Sequence, residues 1–178
     1  MANIRTNIMS VNLRTLRHLA FFDGLDAADL KILEKYFESR RYAAGTVVFE
    51  QGEQADYLYL VVHGEVIIRY KPEDGEPMIV SHVRPGGIFG WSAAVGNGTY
   101  TSGAICTARS AVLRIRGCDL RLICEQHPHA GKIILNRLAD VVAERKQSRQ
   151  KLTSFLADGI RQQSAPNGFQ EKNSWRSR

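Results

Sequence analysis

The 178-residue chain carries 24 Lys and Arg against 18 Asp and Glu, a formal net charge of +6, with 44% hydrophobic and 24% charged residues. That length is about one domain and buries a core without disulfide or metal support, and the composition is that of a soluble globular protein. No apolar run approaches the ~18–20 residues that span a bilayer, and the first 20 residues lack the apolar core and small-residue cleavage site of a secretory leader, so neither a membrane nor a secreted protein is expected.

The charge sits at the two ends. Residues 1–20 hold three Arg and no acid, residues 21–144 hold 13 Lys and Arg against 16 Asp and Glu, and residues 145–178 hold eight basic residues against two acidic. A basic end meets nucleic acid, anionic lipid or an acidic partner, or is simply solvated.

In chain order, Leu13, Leu16 and Leu19 recur at three-residue steps and predict a first helix over 12–20. Asp26 is placed to cap a second helix, Ala27 to Phe37, with Leu30, Ile32, Leu33 and Phe37 facing inward. Phe21, Phe22 and Leu25 between them read as packing residues. Ten of the 15 glycines then fall between Gly45 and Gly103 and punctuate apolar runs at 47–49, 57–62, 65–70, 78–83, 100–106 and 111–115. Such runs predict an antiparallel β unit. Closure into a barrel or jelly roll protects its edges. The turns fall at His63-Gly64, Glu73-Asp74-Gly75 and Pro85-Gly86-Gly87. Asp119 begins a short helix through Glu125, and Pro128 marks the entry to a long one running from about His129 to Leu156. Its first half is apolar, and part of that face is expected to need a second copy of the chain. The tail from Ser164 reads as disordered. The fold expected is α+β, mainly β: an antiparallel β-roll or jelly-roll barrel flanked by N-terminal helices and a long C-terminal helix. The divisions are 1–22, 23–127, 128–157 and 158–178.

Cys106, Cys118 and Cys124 are odd in number and form no CxxC pair, so they read as reduced thiols of a cytoplasmic protein. Cys118 and Cys124 with His127 and His129 suit zinc by type, but the spacing is not that of a familiar zinc module. His63, His82, His127 and His129 scatter over turn, strand and helix entry with no CxxCH, so neither haem nor a metal is expected.

The segment Gly45 to Glu53, followed by Ala55-Asp56 and Leu58-Tyr59-Leu60-Val61, resembles the early strands of the cyclic nucleotide-binding domain family of Crp/Fnr-like sensors. Gly64-Glu65-Val66 matches its strand turn, and Pro85-Gly86-Gly87-Ile88-Phe89-Gly90 matches the entry to its phosphate-binding cassette, so the resemblance covers roughly residues 20–145. It implies a tight turn at Gly90, a short helix whose N–H groups face an anion, a Glu after Phe-Gly for the ribose hydroxyl and an Arg some ten residues on for the phosphate. Trp91 and Thr101 stand at those two positions, and no Lys or Arg lies between Gly87 and Cys106. The pattern looks like a variant branch, with Phe-Gly-Trp-Ser in the cassette. The candidate ligand-binding residues are Phe89, Gly90, Trp91, Ser92 and Ala93, joined by Tyr100, Thr101, Ser102 and Gly103. Trp91 and Tyr100 would wall an aromatic pocket, with Ser92, Thr101 and Ser102 as neutral donors, suited to a small, weakly charged or planar ligand.

Regulators of this kind carry a helix-turn-helix of ~60–80 residues after the long helix (an expectation from the resemblance). Only 21 residues follow Ala157 here, so DNA binding is not expected. No Gly-x-Ser-x-Gly, phosphate-binding loop or dinucleotide fingerprint is present, so no enzyme is expected. The expected function is a stand-alone regulatory sensor of the cyclic nucleotide-binding type, a homodimer through its long helix. It would signal a cyclic nucleotide or other small ligand without the usual Glu and Arg. The alternative is a ligand-free dimeric module docking an acidic protein partner or nucleic acid through its basic ends.

Overall fold

The computed structural model describes residues 11, 13–73, 75–96 and 98–144. Two short helices open the chain: α1 (Leu13–Arg17) and, after a 3₁₀ turn at Ala20–Phe22, α2 (Ala27–Leu33). The expected cap is present: the Asp29 N–H donates to Asp26 Oδ1 at 2.8 Å, a contact worth ~1 kcal/mol in such a position. Both predicted helices are longer than those observed. α2 stops at Leu33 rather than Phe37, because residues 34–37 tighten into turns, with Tyr36 N–H donating to Leu33 O at 2.9 Å. The chain then leaves as a strand.

That strand, β1 (Glu38–Tyr42), has a charged sequence with no apolar alternation, and the sequence pattern does not announce it. It forms because it pairs along β8 (Ser110–Arg116). There Glu38 accepts from Arg40 at 2.7 Å and from Arg114 at 2.9 Å and 3.0 Å, so the buried Arg40 brings its own counter-charge.

The remaining strands are β2 (Val47–Phe49), β3 (Tyr57–His63), β4 (Val66–Tyr70), β5 (Met78–Val83), β6 (Ile88–Phe89) and β7 (Gly103–Cys106). Two four-stranded antiparallel sheets result, ordered β1-β8-β3-β6 and β2-β7-β4-β5, which is the expected jelly roll. The predicted strand 100–106 begins only at Gly103, and Tyr100-Thr101-Ser102 lie in the preceding loop.

Strand β3 explains how two cores arise from one sheet. Leu58 and Leu60 face the helices together with Leu113 and Ile115, while Tyr59 and Val61 face the second sheet with Phe89 and Val112. A strand buried on both faces reads as a continuous apolar run, as Tyr57 to Val62 does. The helical core closes with α4 (Gly117–Gln126) and the helical residues 128–144, here α5. Proline 128 opens α5 as expected. Ala130, Ile134 and Leu138 are buried, with Val141 packed beside them, so the first half of α5 rests on the protein's own helices. His129 Nδ1 lies 3.0 Å from Asp29 Oδ2 and ties the start of α5 to α2. The expected continuation to Leu156, the tail and most of both basic ends lie outside the described residues.

Candidate ligand-binding site

After β6 the chain crosses directly over β3 at Gly90. Its φ is +72°, and a Cβ there would lie 2.8 Å from Tyr57 O and 2.9 Å from Tyr59 Cδ2, so glycine is required twice over. The crossing feeds α3 (Ser92–Val95), a single turn that Gly96 ends at φ +77°. Ala93 N–H donates to Gly90 O at 3.2 Å and Ala94 N–H to Trp91 O at 2.9 Å.

The loop ahead of β7 is held from below. Tyr57 N–H donates to Tyr100 Oη at 3.1 Å, and the Tyr100 hydroxyl donates back to Tyr57 O at 2.9 Å. The Tyr100 ring stacks on Phe49, centroids 3.6 Å apart and planes inclined by 14°. Burial pushes the Tyr100 and Tyr59 phenols above their ordinary value, so both stay neutral donors.

Between this loop, α3 and the second sheet lies a cavity of about 380 Å³. Gly90, Trp91 and Ser92 form one wall and Tyr100, Thr101 and Ser102 another. The floor comes from Phe49, Ile68, Val80 and Ser81, and Val142 reaches in from α5. No Lys, Arg, Asp or Glu lines it among the described residues. The hydroxyls of Ser81, Ser92, Thr101 and Ser102 make no hydrogen bond among those residues.

The structure thus brings six of the sequence-predicted residues around one space. It places the other three elsewhere. Phe89 is wholly buried in the inter-sheet core, stacked on Tyr59 at 4.8 Å. Ala93 turns away from the cavity toward α4, where its carbonyl abuts Gly117. Gly103 opens toward Glu50 on the outer side of the sheet, its added Cβ 3.1 Å from Glu50 Oε2.

The floor residues were not singled out from sequence, for a local reason. Ile68 pairs with Ser81 but Arg69 pairs with Ile79, so Val80 is an extra residue on β5. This bulge lets the adjacent Val80 and Ser81 both line the cavity, which strict alternation forbids. Val142 was legible only as part of an apolar helical stretch. Cys118, Cys124, His127 and His129 assemble no metal site: no group of three or more His, Cys, Asp or Glu able to hold an ion occurs among the described residues.

Comparison with known proteins agrees with this architecture. Residues 39–127 match the family model of the cyclic nucleotide-binding domain, and the chain belongs to that family. It is 33% identical over 140 residues to the potassium channel KOR2 of Oryza sativa subsp. japonica, covering 76% of this chain and 18% of the channel. It is 25% identical over 124 residues to the cyclic AMP receptor protein of Thermus thermophilus, covering 70% of this chain and 56% of the receptor. The chain therefore spans under two thirds of either relative's length. Among solved structures, a protein of Geobacter metallireducens GS-15 named for cyclic nucleotide binding superposes with a TM-score of 0.67 at 31% identity, covering 76% of this chain and 98% of that one. Its relatives are regulators and channels, and no described helix is long and apolar enough to cross a membrane.

Proposed function

We propose that the chain is a non-enzymatic, cytoplasmic regulatory sensor whose cavity takes a small molecule and whose C-terminal helix reports the occupancy. One observation carries this reading: Val142 of α5 lines the same cavity as Trp91, Ser92 and Thr101. A ligand that fills the space touches the cassette and the output helix at once, so its differential contacts bias how α5 docks. A second route runs through packed backbone. Gly117 of α4 abuts the Ala93 carbonyl of α3, and a Cβ on Gly131 of α5 would lie 2.6 Å from Cys124 Cα of α4. Helices α3, α4 and α5 therefore meet at two close contacts where a glycine meets the neighbouring backbone, and a shift of one is felt by the next.

Residues 23–127 supply all of the described cavity lining except Val142, and the described part of the output helix is 128–144. The usual cyclic nucleotide chemistry is absent, because Trp91 and Thr101 occupy the Glu and Arg positions. Each missing charged hydrogen bond costs ~1.5–3 kcal/mol of binding.

The coupling is tested by Thr101→Trp, which fills the cavity from a half-exposed loop position. Amide exchange across 134–144 is expected to slow relative to the parent. Unchanged exchange in a folded variant would remove the proposed link between cavity and helix.

The output is read by a second copy. Leu135, 46% exposed, and the exposed Ala139 four residues on form a strip along α5 that suits a two-helix seam. Leu135→Glu is expected to convert a dimer to a monomer in sedimentation equilibrium. The far-UV circular dichroism of the variant should match that of the parent, since Leu135 lies outside the core. A parent protein that sediments as a monomer at high concentration argues against the seam.

A further inference from the structure

We infer that the cavity selects an uncharged ligand with a hydrogen-bonding head and an apolar, planar body, and rejects cyclic nucleotides along with other anions. This rests on the sensor reading above and names the ligand class for the same site.

The fit of a cyclic nucleotide fails on the residues present. A cyclic phosphate keeps one negative charge at neutral pH, and the described lining offers it no cation. At the head of α3 the Ala93 N–H is already spent on Gly90 O. An anion taken out of water there exchanges full hydration for neutral donors, a trade that disfavours burial.

The same lining favours a neutral guest. Trp91, Tyr100 and Phe49 present aromatic surface, and Ile68, Val80 and Val142 present aliphatic surface. Tyr100 is anchored in the lining, because its hydroxyl accepts from the Tyr57 N–H and donates to the Tyr57 carbonyl. The polar groups left to a ligand are the hydroxyls of Ser92, Thr101 and Ser102 on the cassette side, with Ser81 on the sheet. Hydroxyls give and accept without charge, so they match a carbonyl, amide or hydroxyl head. At about 380 Å³ the space lies at the small end of ligand cavities, ~300–1,000 Å³. A planar aromatic body with a short polar substituent suits that volume.

A matched pair of probes tests the selection: N-phenyl-1-naphthylamine, which is neutral, and 8-anilino-1-naphthalenesulfonate, the same skeleton bearing a sulfonate. Fluorescence titration of the full chain is expected to show saturable one-to-one binding of the neutral probe, at least about tenfold tighter than the sulfonate. Thr101→Trp should abolish it. Val142→Trp, on the helix rather than the loop, should do the same and serves if the first variant does not fold. Cyclic AMP should not displace the neutral probe. Equal or tighter sulfonate binding that either Trp variant abolishes, or displacement by cyclic AMP, overturns the ligand class while leaving a ligand-binding cavity. Binding of neither probe, or binding that neither folded Trp variant changes, overturns the sensor reading with it.

Discussion

Gly90→Ala is expected to cost roughly 2–5 kcal/mol of unfolding free energy in urea, the largest effect of any single small substitution in the cassette. Two penalties add. A side chain at φ +72° carries left-handed strain of ~1–2 kcal/mol. The new Cβ must also displace Tyr57 O and Tyr59 Cδ2, 2.8 Å and 2.9 Å away, an overpacking cost of ~1–3 kcal/mol. Gly96→Ala separates the two terms. Gly96 has nearly the same backbone, φ +77°, but nothing lies within 4 Å of its added Cβ, so it should lose only ~1–2 kcal/mol. Equal losses at the two positions would mean that the close passage of the cassette over β3 is not part of the native state.

The second large effect is a gain. Trp91→Glu with Thr101→Arg returns a ribose acceptor and a phosphate counter-charge to the positions that the family resemblance assigns them. Both residues line the cavity. Two charged hydrogen bonds at ~1.5–3 kcal/mol each correspond to a gain in cyclic AMP affinity of about a hundredfold to ten-thousandfold. Thermal-shift titration reads it directly, since ligand at 100 times its Kd adds ~2.7 kcal/mol of stability. The parent chain should show no shift with cyclic AMP or cyclic GMP. The apo double variant should melt lower than the parent, because it gains two charges in a site with no resident partner and loses the packing of the half-buried Trp91. A folded double variant that still ignores cyclic AMP would count against the cassette geometry rather than against its charges. A saturable shift in the parent would show that Trp91 and Thr101 tolerate the phosphate.

Much of this molecule is legible in its residue order. The two-sided burial of β3 follows from an unbroken apolar run, the turns follow from glycine, and the start of α5 follows from Pro128, because each depends on a handful of neighbouring residues. The cassette was legible too: Gly90, Trp91 and Ser92 are consecutive, and Tyr100 to Ser102 follow within a dozen positions. What was not legible depends on pairing at a distance. Strand β1 is too polar to announce itself and exists because β8 supplies hydrogen bonds and Arg114. Val80 and Ser81 share a face only because a bulge against Ile68 and Arg69 breaks the alternation.

Residue order therefore decided the class of fold and the absence of charge in the cassette, since both are properties of local pattern and residue type. Tertiary structure alone decided that α5 contributes to the cavity. Val142 lies 51 positions beyond Trp91, and no spacing rule connects them. They meet because Ala130, Ile134 and Leu138 bury one stripe of α5 against the helical core, which turns the neighbouring face of the same helix toward the second sheet.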